Sequence, residues 1–508
     1  MKKILFFNFD GTCNDPMDAV QNRNSHGMIE DDNITNVLKF HLLLGGDLKE
    51  GGTSLPNGSH SFYYSGVGTY GSKIKQLINT ALAPEEWDVE KIENKAIEDF
   101  KKYYLEKKGF DKIISVGFSR GAAIARRFAS KINDLVPENT IIEGIFETVA
   151  SIDRVDFCTE DRPKSEVVFE NRTVASKVEK ALHLVSLDDK RKAFQPTLMN
   201  KEDKVMEVWF SGAHGDVGGG FRQDGLSDLS LRFFLDWFED LGLGIKFYTP
   251  KTLDYSKFKD MKGREIIGAD DMHIIEDPFG VNHEQDRWGL IEKITLIDRK
   301  CCVIVDDKIK YEEEPIVHWS VAERIFGDSS YKPASLKGKP HKILYPDGRM
   351  ESFKGFTDHK YICNSNILIP TGEGIETFIY AHKKFNHTRI FFEEGKSYKI
   401  EVLGDERWND SGIKDLDGKG WDRKDVKLGL KESFIKILES RRRVTKKGVK
   451  WFTLCGTIGP DDSTAFIIGN SLKKYSANKS GEFCAFANDL NGFYGNNTGK
   501  LRVKVTLL

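Results

Sequence analysis

The sequence predicts an α/β fold built on a mostly parallel sheet, followed by an all-β domain. Three observations carry that reading. Up to about residue 245, short apolar β-branched runs alternate with helical stretches, the pattern that lays helices on the faces of a parallel sheet. A serine stands in a Gly-x-Ser-x-Gly turn between one such run and the helix after it. From about Thr388 the texture changes to short alternating strands separated by Gly, Asn and Asp turns.

The elements follow in order. Residues 3–9, rich in Ile and Phe, read as a buried strand closed by the Asp10-Gly11-Thr12 turn. Asn33–Leu44 has helical spacing and Phe62–Ser65 reads as a second strand. Residues 85–107, with many Lys/Glu pairs, read as a helix ending near Gly109. Lys112–Val116 is a β-branched run, and a helix follows from Arg120 to about Ile132. Ile141–Phe146 and Val205–Phe210 are two further strands. Beyond about residue 245 the periods weaken. Residues 245–315 and 325–385 are read as insertions or a cap over the sheet, within a first domain spanning 1–387. Tyr398–Leu403, Phe466–Gly469, Phe483–Phe486 and Leu501–Thr506 are strands of a β-sandwich over 388–508.

Composition narrows the function classes. With 508 residues, 39 % apolar and 30 % charged, the chain has matter for a real core, and collagen-like, coiled-coil and disordered readings fail. No window holds eighteen uncharged apolar residues, so no membrane-spanning helix is expected. The net charge of −2 excludes a whole-molecule polyanion binder. It divides unevenly, +7 from residue 388 on and −9 before it. The basic cluster Arg441–Lys447 lacks the aromatic interleaving that would point to nucleic acid. Seven cysteines without a Cys-x-x-Cys pair, or a Cys/His cluster at zinc spacing, read mostly as buried free thiols. The apolar run behind Met1-Lys2-Lys3 stops at Asp10, too short for a signal peptide. Synthesis in the cytoplasm, with export by a route other than general secretion, is therefore expected.

The turn Gly117-Phe118-Ser119-Arg120-Gly121 has the context of a nucleophile elbow, which makes the fold α/β-hydrolase-like. Glycines two before and two after the serine let strand and helix approach without Cβ clashes. The Arg120 amide, at the helix N-terminus, is a natural oxyanion donor. Such a serine needs an acid and a histidine in the chain order Ser, Asp, His. Asp216 fits the acid, in the Gly-rich loop Ser211–Gly220 after the strand Val205–Phe210; His214 in the same loop reads as a support for the turn. Seven histidines follow Asp216, His283 and His318 among them, and spacing alone does not separate them.

Five ordered motifs sharpen the choice: Asn8-Phe9-Asp10-Gly11-Thr12-Cys13-Asn14, the elbow, Leu187-Asp188-Asp189-Lys190-Arg191, the stretch Gly212–Phe221, and Val317–Arg324. Over about residues 1–385 the chain resembles the α/β-hydrolase family of type VI secretion lipase effectors. The resemblance implies a triad of Ser119, Asp216 and His318, with a second oxyanion amide from Gly11 or Thr12. In Phe146-Glu147-Thr148-Val149 the family usually has Asp where this chain has Glu147; Asp153 is a backup acid.

From Thr388 on, the chain resembles the calcium-dependent galactophilic bacterial lectin domain. Gly395, Tyr398–Gly404, Cys455-Gly456 and the ending Asn488–Gly499 carry the likeness. It implies a Ca²⁺ ion held by Asp489, Asn496 and Asn497 and by the carbonyls of Phe493 and Trp408, an oxygen donor set that suits a hard cation. It also implies a glycan ligand, although the His and Gln with which that family contacts sugar have no counterpart from residue 388 on. Together the resemblances imply a phospholipase A that serves as an antibacterial toxin. Phospholipid membrane would be its substrate, type VI secretion machinery and an immunity protein its partners, and the target-cell periplasm its destination. A carbohydrate esterase targeted by the lectin-like domain, and a non-catalytic adhesin, are the rival readings.

Overall fold

Ile4–Phe9 (β1) forms the strand its apolar run predicts, with every residue buried. The strands that follow are β2 (Thr53–Ser54), β3 (His60–Tyr64), β4 (Lys112–Phe118), β5 (Ile141–Phe146), β6 (Val178–Ser186) and β7 (Val205–Phe210). After them come β8 (Val303–Val305), β9 (Lys308–Lys310), β10 (Ile316–His318), β11 (His341–Leu344) and β12 (Met350–Phe353). This is a computed structural model. It describes residues 2–11, 34–48, 51–66, 86–149, 174–221, 225–258, 267–283, 296–328, 330–346, 348–355, 368–426, 435–436, 438–446, 448–491, 493–494 and 497–508.

All of these strands except the β8–β9 hairpin join one sheet, in the order β12-β11-β10-β7-β6-β5-β4-β1-β3-β2. From β11 to β3 every neighbouring pair is parallel. Antiparallel β12 and β2 close the two edges. Alternation along each strand divides the core in two. Ile4, Phe6, Ile114, Val116 and Leu182 pack under the helices Asn36–Leu43 and Gly225–Asp240. Leu5, Phe7, Phe9, Ile113 and Ile145 pack under Glu86–Phe100 and Arg120–Ile132. The chain steps from β1 to β3 on one side and to β4 on the other. The crevice beyond the carboxyl ends of β1 and β4 is therefore a topological switch point, where open α/β sheets place their ligands.

Two expectations are corrected. Within 325–385, His341–Leu344 and Met350–Phe353 are not a cap: β11 and β12 extend the main sheet, because β11 pairs in parallel with β10. The described parts of 245–315 hold turns and the small β8–β9 hairpin. The compact units divide at Met1–Lys360 and Tyr361–Leu508 rather than at 387/388. The reason is β13 (Gly374–Tyr380), which pairs along its whole length with the C-terminal strand.

The second unit is all β. Its further strands are β14 (Asn386–Phe392), β15 (Ser397–Leu403), β16 (Trp408–Asp410), β17 (Ile413–Leu416), β18 (Leu454–Ile458), β19 (Phe466–Ile467), β20 (Ser471–Ser476), β21 (Gly481–Ala487) and β22 (Asn497–Leu507). One sheet runs β17-β16-β22-β15-β20 with β13 also on β22; the other runs β14-β21-β18-β19. Ile379, Ile400, Leu501 and Val503 of the first share one core with Ile390, Leu454, Phe483 and Ala485 of the second. Among the described residues, no helix is long and apolar enough to cross a membrane.

Candidate active site

Ser119 ends β4 and caps the helix Arg120–Ile132 at φ 58° and ψ −123°. A non-glycine residue held there stores about 1–3 kcal/mol of strain. The surroundings enforce it. Ser119 N–H donates to Phe146 O at 3.1 Å, and Ser119 O accepts from Val149 N–H at 3.2 Å. A side chain at Gly121 would strike the Phe9 and Asp10 carbonyls, and one at Gly117 would strike the helix backbone at Ala122. Both elbow glycines are thus required by close approach. Among the described residues Ser119 Oγ makes no hydrogen bond.

Asp216 lies in the short helix His214–Gly218, just past β7. Its Oδ2 accepts the Ala213 N–H at 2.8 Å and the His283 N–H at 2.9 Å. Its Oδ1 is 2.6 Å from His283 Nδ1. The His283 ring stacks on Phe221 at 4.1 Å with an interplanar angle of 15°. The acid is therefore paired with His283 and not with His318. His318 ends β10 with Nδ1 at 2.8 Å from Ser320 Oγ, and its ring stacks on Phe210 at 4.3 Å. The same short helix leans on the elbow: a side chain at Gly218 would run into the Phe118 ring, directly before Ser119.

A buried polar frame supports this pair. Asp188, at the end of β6, accepts at Oδ2 from Gly212 N–H (2.7 Å), Tyr331 O–H (2.7 Å) and Asn282 Nδ2 (3.3 Å). One carboxylate thereby ties the loop carrying Asp216 to the residue before His283. Glu147 bridges Arg299 Nη1 at 2.8 Å and His214 Nδ1 at 2.9 Å, and also accepts the Ser186 N–H. Burial alone raises its pKa, but the Arg299 charge and the His214 bond overcome that and hold it at about 2. Burial lowers the His214 pKa, against the pull of Glu147. Glu147 and His214 thus brace the floor of the site, and the extra methylene of Glu147 reaches both partners. Asp189 is held well below the usual carboxylate range: Arg191 and Arg299 outweigh its burial. Asp153 lies outside the described residues.

The oxyanion candidates separate. Arg120 is the first residue of its helix, at the positive end of the helix dipole. Gly11 N–H donates to Asp10 Oδ1 at 2.6 Å, which commits that amide to Asp10 instead of a substrate oxygen. Asp10 in turn is held by Thr35 Oγ1 at 2.7 Å and Tyr63 O–H at 2.5 Å. Thr12 lies outside the described residues.

In the second unit Asp489 Oδ2 accepts from Asn497 Nδ2 at 3.0 Å, while Asn497 Oδ1 is buried without a partner among the described residues. Sequence reasoning missed Asp410, which the β16–β22 register sets opposite Asn497. Burial and the Asp489 charge push Asp410 up to about 6. Trp408 sits on the same strand, opposite Gly499. Phe493 is described with its side chain half exposed, and Asn496 lies outside the described residues.

The structure thus holds a strained serine between strand and helix, and an Asp216–His283 pair, in an α/β unit with a mostly parallel sheet. Residues 2–136 and 137–237 match the model of the catalytic domain of Tle1-like phospholipase effectors of the type VI secretion system. A comparison with curated proteins gives no match. Among solved structures, an uncharacterized protein from Pseudomonas aeruginosa is 16 % identical, with 54 % of this chain and 49 % of that one covered and a TM-score of 0.32. A Tle1 effector bound to the VgrG spike of the type 6 secretion system is 20 % identical over 44 % of this chain and 51 % of its own, with a TM-score of 0.27. A PllA-like lectin, the EclA N-terminal domain, is 14 % identical over 26 % of this chain and 95 % of its own, with a TM-score of 0.19. The chain spans about half the length of the first two.

Proposed function

We propose that this chain is a serine carboxylic-ester hydrolase, a phospholipase A that type VI secretion machinery delivers against the membranes of other bacteria. The Asp216–His283 contact of 2.6 Å supports the reading, because it gives His283 the carboxylate on Nδ1 that a general base needs. Asp216 accepts the Nδ1 proton of His283 and so leaves the Nε2 lone pair for Ser119. As Ser119 Oγ attacks the acyl carbonyl, His283 takes its proton and the Arg120 amide faces the developing oxyanion. His283 then protonates the leaving lysophospholipid alcohol. A water activated by His283 attacks the acyl-serine and releases the fatty acid. The match of residues 2–237 to that family's model supports the lipid substrate; type VI secretion machinery and an immunity protein are the partners proposed with it. The test is product analysis of phosphatidylethanolamine/phosphatidylglycerol vesicles by mass spectrometry. Free fatty acid plus lysophospholipid is expected. Intact lipid beside deacetylated glycan would favour the carbohydrate esterase instead.

The second unit is proposed to bind Ca²⁺ and attach the protein to a surface or glycan. The donors fit the ion: Asn497 Oδ1 is an orphaned buried oxygen, and Asp489 and Asp410 repel one another beside it. Asp489, Asn497 and Asp410 would hold the cation, which supplies charge neutralisation and no step of ester hydrolysis. At an affinity of about 10⁻⁴–10⁻³ M, about 10 mM calcium adds about 1.4–2.7 kcal/mol to the stability of this unit. Thermal unfolding of the full chain, with calcium and then with chelator, is expected to show that shift. Asp489→Ala is expected to remove it, with hydrolysis of a soluble ester unchanged throughout. Identical melts would reduce the loop to an Asn/Gly turn.

A further inference from the structure

The other sheet of the second unit carries a cluster that neither the hydrolase nor the calcium reading uses. Glu482 and Cys484, two apart on β21, share one face of their strand. The register sets His387 of β14 opposite Cys484. His387 Nδ1 lies 2.8 Å from Glu482 Oε2 and 3.7 Å from Cys484 Sγ. All three donor atoms fall within 4.8 Å of one another. We propose that His387, Glu482 and Cys484 form a Zn²⁺ site with three protein ligands and a fourth position open to water or an external ligand.

Three features argue for a metal. Thiolate, imidazole and carboxylate together are the donor set of tetrahedral zinc. With Zn–S about 2.3 Å and Zn–N about 2.0–2.1 Å, a tetrahedral angle separates sulfur from nitrogen by about 3.6 Å; the 3.7 Å found here already matches. The 2.8 Å between imidazole and carboxylate must open by roughly 0.6 Å, and a glutamate has the torsions to do so. Next, carboxylate and sulfur both face the same ring nitrogen, Nδ1. A Cys–His–acid relay needs them on opposite ring nitrogens, so convergence on one point fits ligation and not nucleophilic catalysis. Last, the backbone is shaped around the cluster. The β14–β21 ladder is irregular between His387 and Phe391, and Arg389 sits there at φ 62°. Its N–H donates to Glu482 Oε1 at 2.8 Å, which orients the carboxylate as an outer partner orients a ligand. Thr457, opposite Cys484 on β18, has a buried Oγ1 without a partner among the described residues, so a polar group faces Cys484 from the other flank as well. His387 and Glu482 side chains are 24 % and 14 % exposed, enough for an ion to enter.

The test is zinc binding by the full-length chain, measured by competition with a chromogenic chelator after demetallation. One equivalent is expected. Cys484→Ser, His387→Gln and Glu482→Gln are each expected to weaken it by about 100-fold or more, since loss of a mere outer partner costs 10–100-fold. Cobalt(II) in place of zinc is expected to give a thiolate-to-metal charge-transfer band that Cys484→Ser removes. In the unmutated protein, zinc is expected to slow alkylation of Cys484 and chelator to restore it, a readout that requires no variant to fold. Zinc bound equally by wild type and all three variants, or alkylation of Cys484 indifferent to zinc, would overturn the site.

Discussion

Ser119→Ala is expected to lower ester turnover by on the order of 10⁶ while leaving the fold intact, because the nucleophile is lost and little else is. The bonds that hold the elbow, to Phe146 and from Val149, are main-chain bonds and survive the substitution. Ser119 Oγ makes no hydrogen bond among the described residues, so its removal strands no partner there. Alanine has the same Cβ at φ 58°, so the strain of the elbow is neither relieved nor increased. Stability is therefore expected to change by no more than about 0.5 kcal/mol. The measurement is turnover of a soluble short-chain ester and of vesicle phospholipid, beside a thermal melt. Near-wild-type turnover on either substrate would remove Ser119 from the mechanism. A collapsed melt would mean that the variant reports on folding instead.

The elbow was legible because all that it requires is adjacent in the chain: the β-branched run, the paired glycines and the small residues of the helix behind. The same holds for β1 and β5, which are buried throughout, and for β7, which is buried over its last three residues. β6 was not read, since Glu179 and Lys180 charge its start and His183 interrupts the apolar residues that follow. β13 was read as part of a cap because its stretch of the chain shows no clear period; what makes it a strand is its pairing with β22, at least 120 residues away. Asp410 is the same case at the scale of a site. It stands two residues after Trp408, and only the β16–β22 register brings it to Asn497. Glu147 stood out in the sequence as a departure from a pattern, but its partner Arg299 lies 152 residues on and carries no local signal.

His283→Ala is expected to cost nearly as much as loss of the serine, on the order of 10⁶, whereas His318→Ala is expected to leave turnover within a few-fold of wild type. A motif match favoured His318; contact geometry favours His283. A general base must hold its second nitrogen toward the nucleophile, and that needs an acid on the first. Asp216 gives His283 that acid at 2.6 Å, together with a second anchor, the His283 main-chain N–H on Oδ2. His318 has a serine hydroxyl on Nδ1 at 2.8 Å, and a ring wedged between Phe210 at 4.3 Å and Phe233 at 5.4 Å. Its loss is expected to appear in the melt, at about 1–3 kcal/mol, and not in the rate. Asp216→Asn separates orientation from chemistry further. An amide that donates to Nδ1 selects the wrong tautomer, and turnover is expected to fall by roughly 10⁴. In the proposed mechanism the three groups act as one unit, so adding His283→Ala to Ser119→Ala is expected to cost almost nothing more. The decisive result is the pair of single variants assayed on one soluble ester. An active His283→Ala beside a folded but inactive His318→Ala would return the base to β10 and leave Asp216 a loop residue that merely anchors His283.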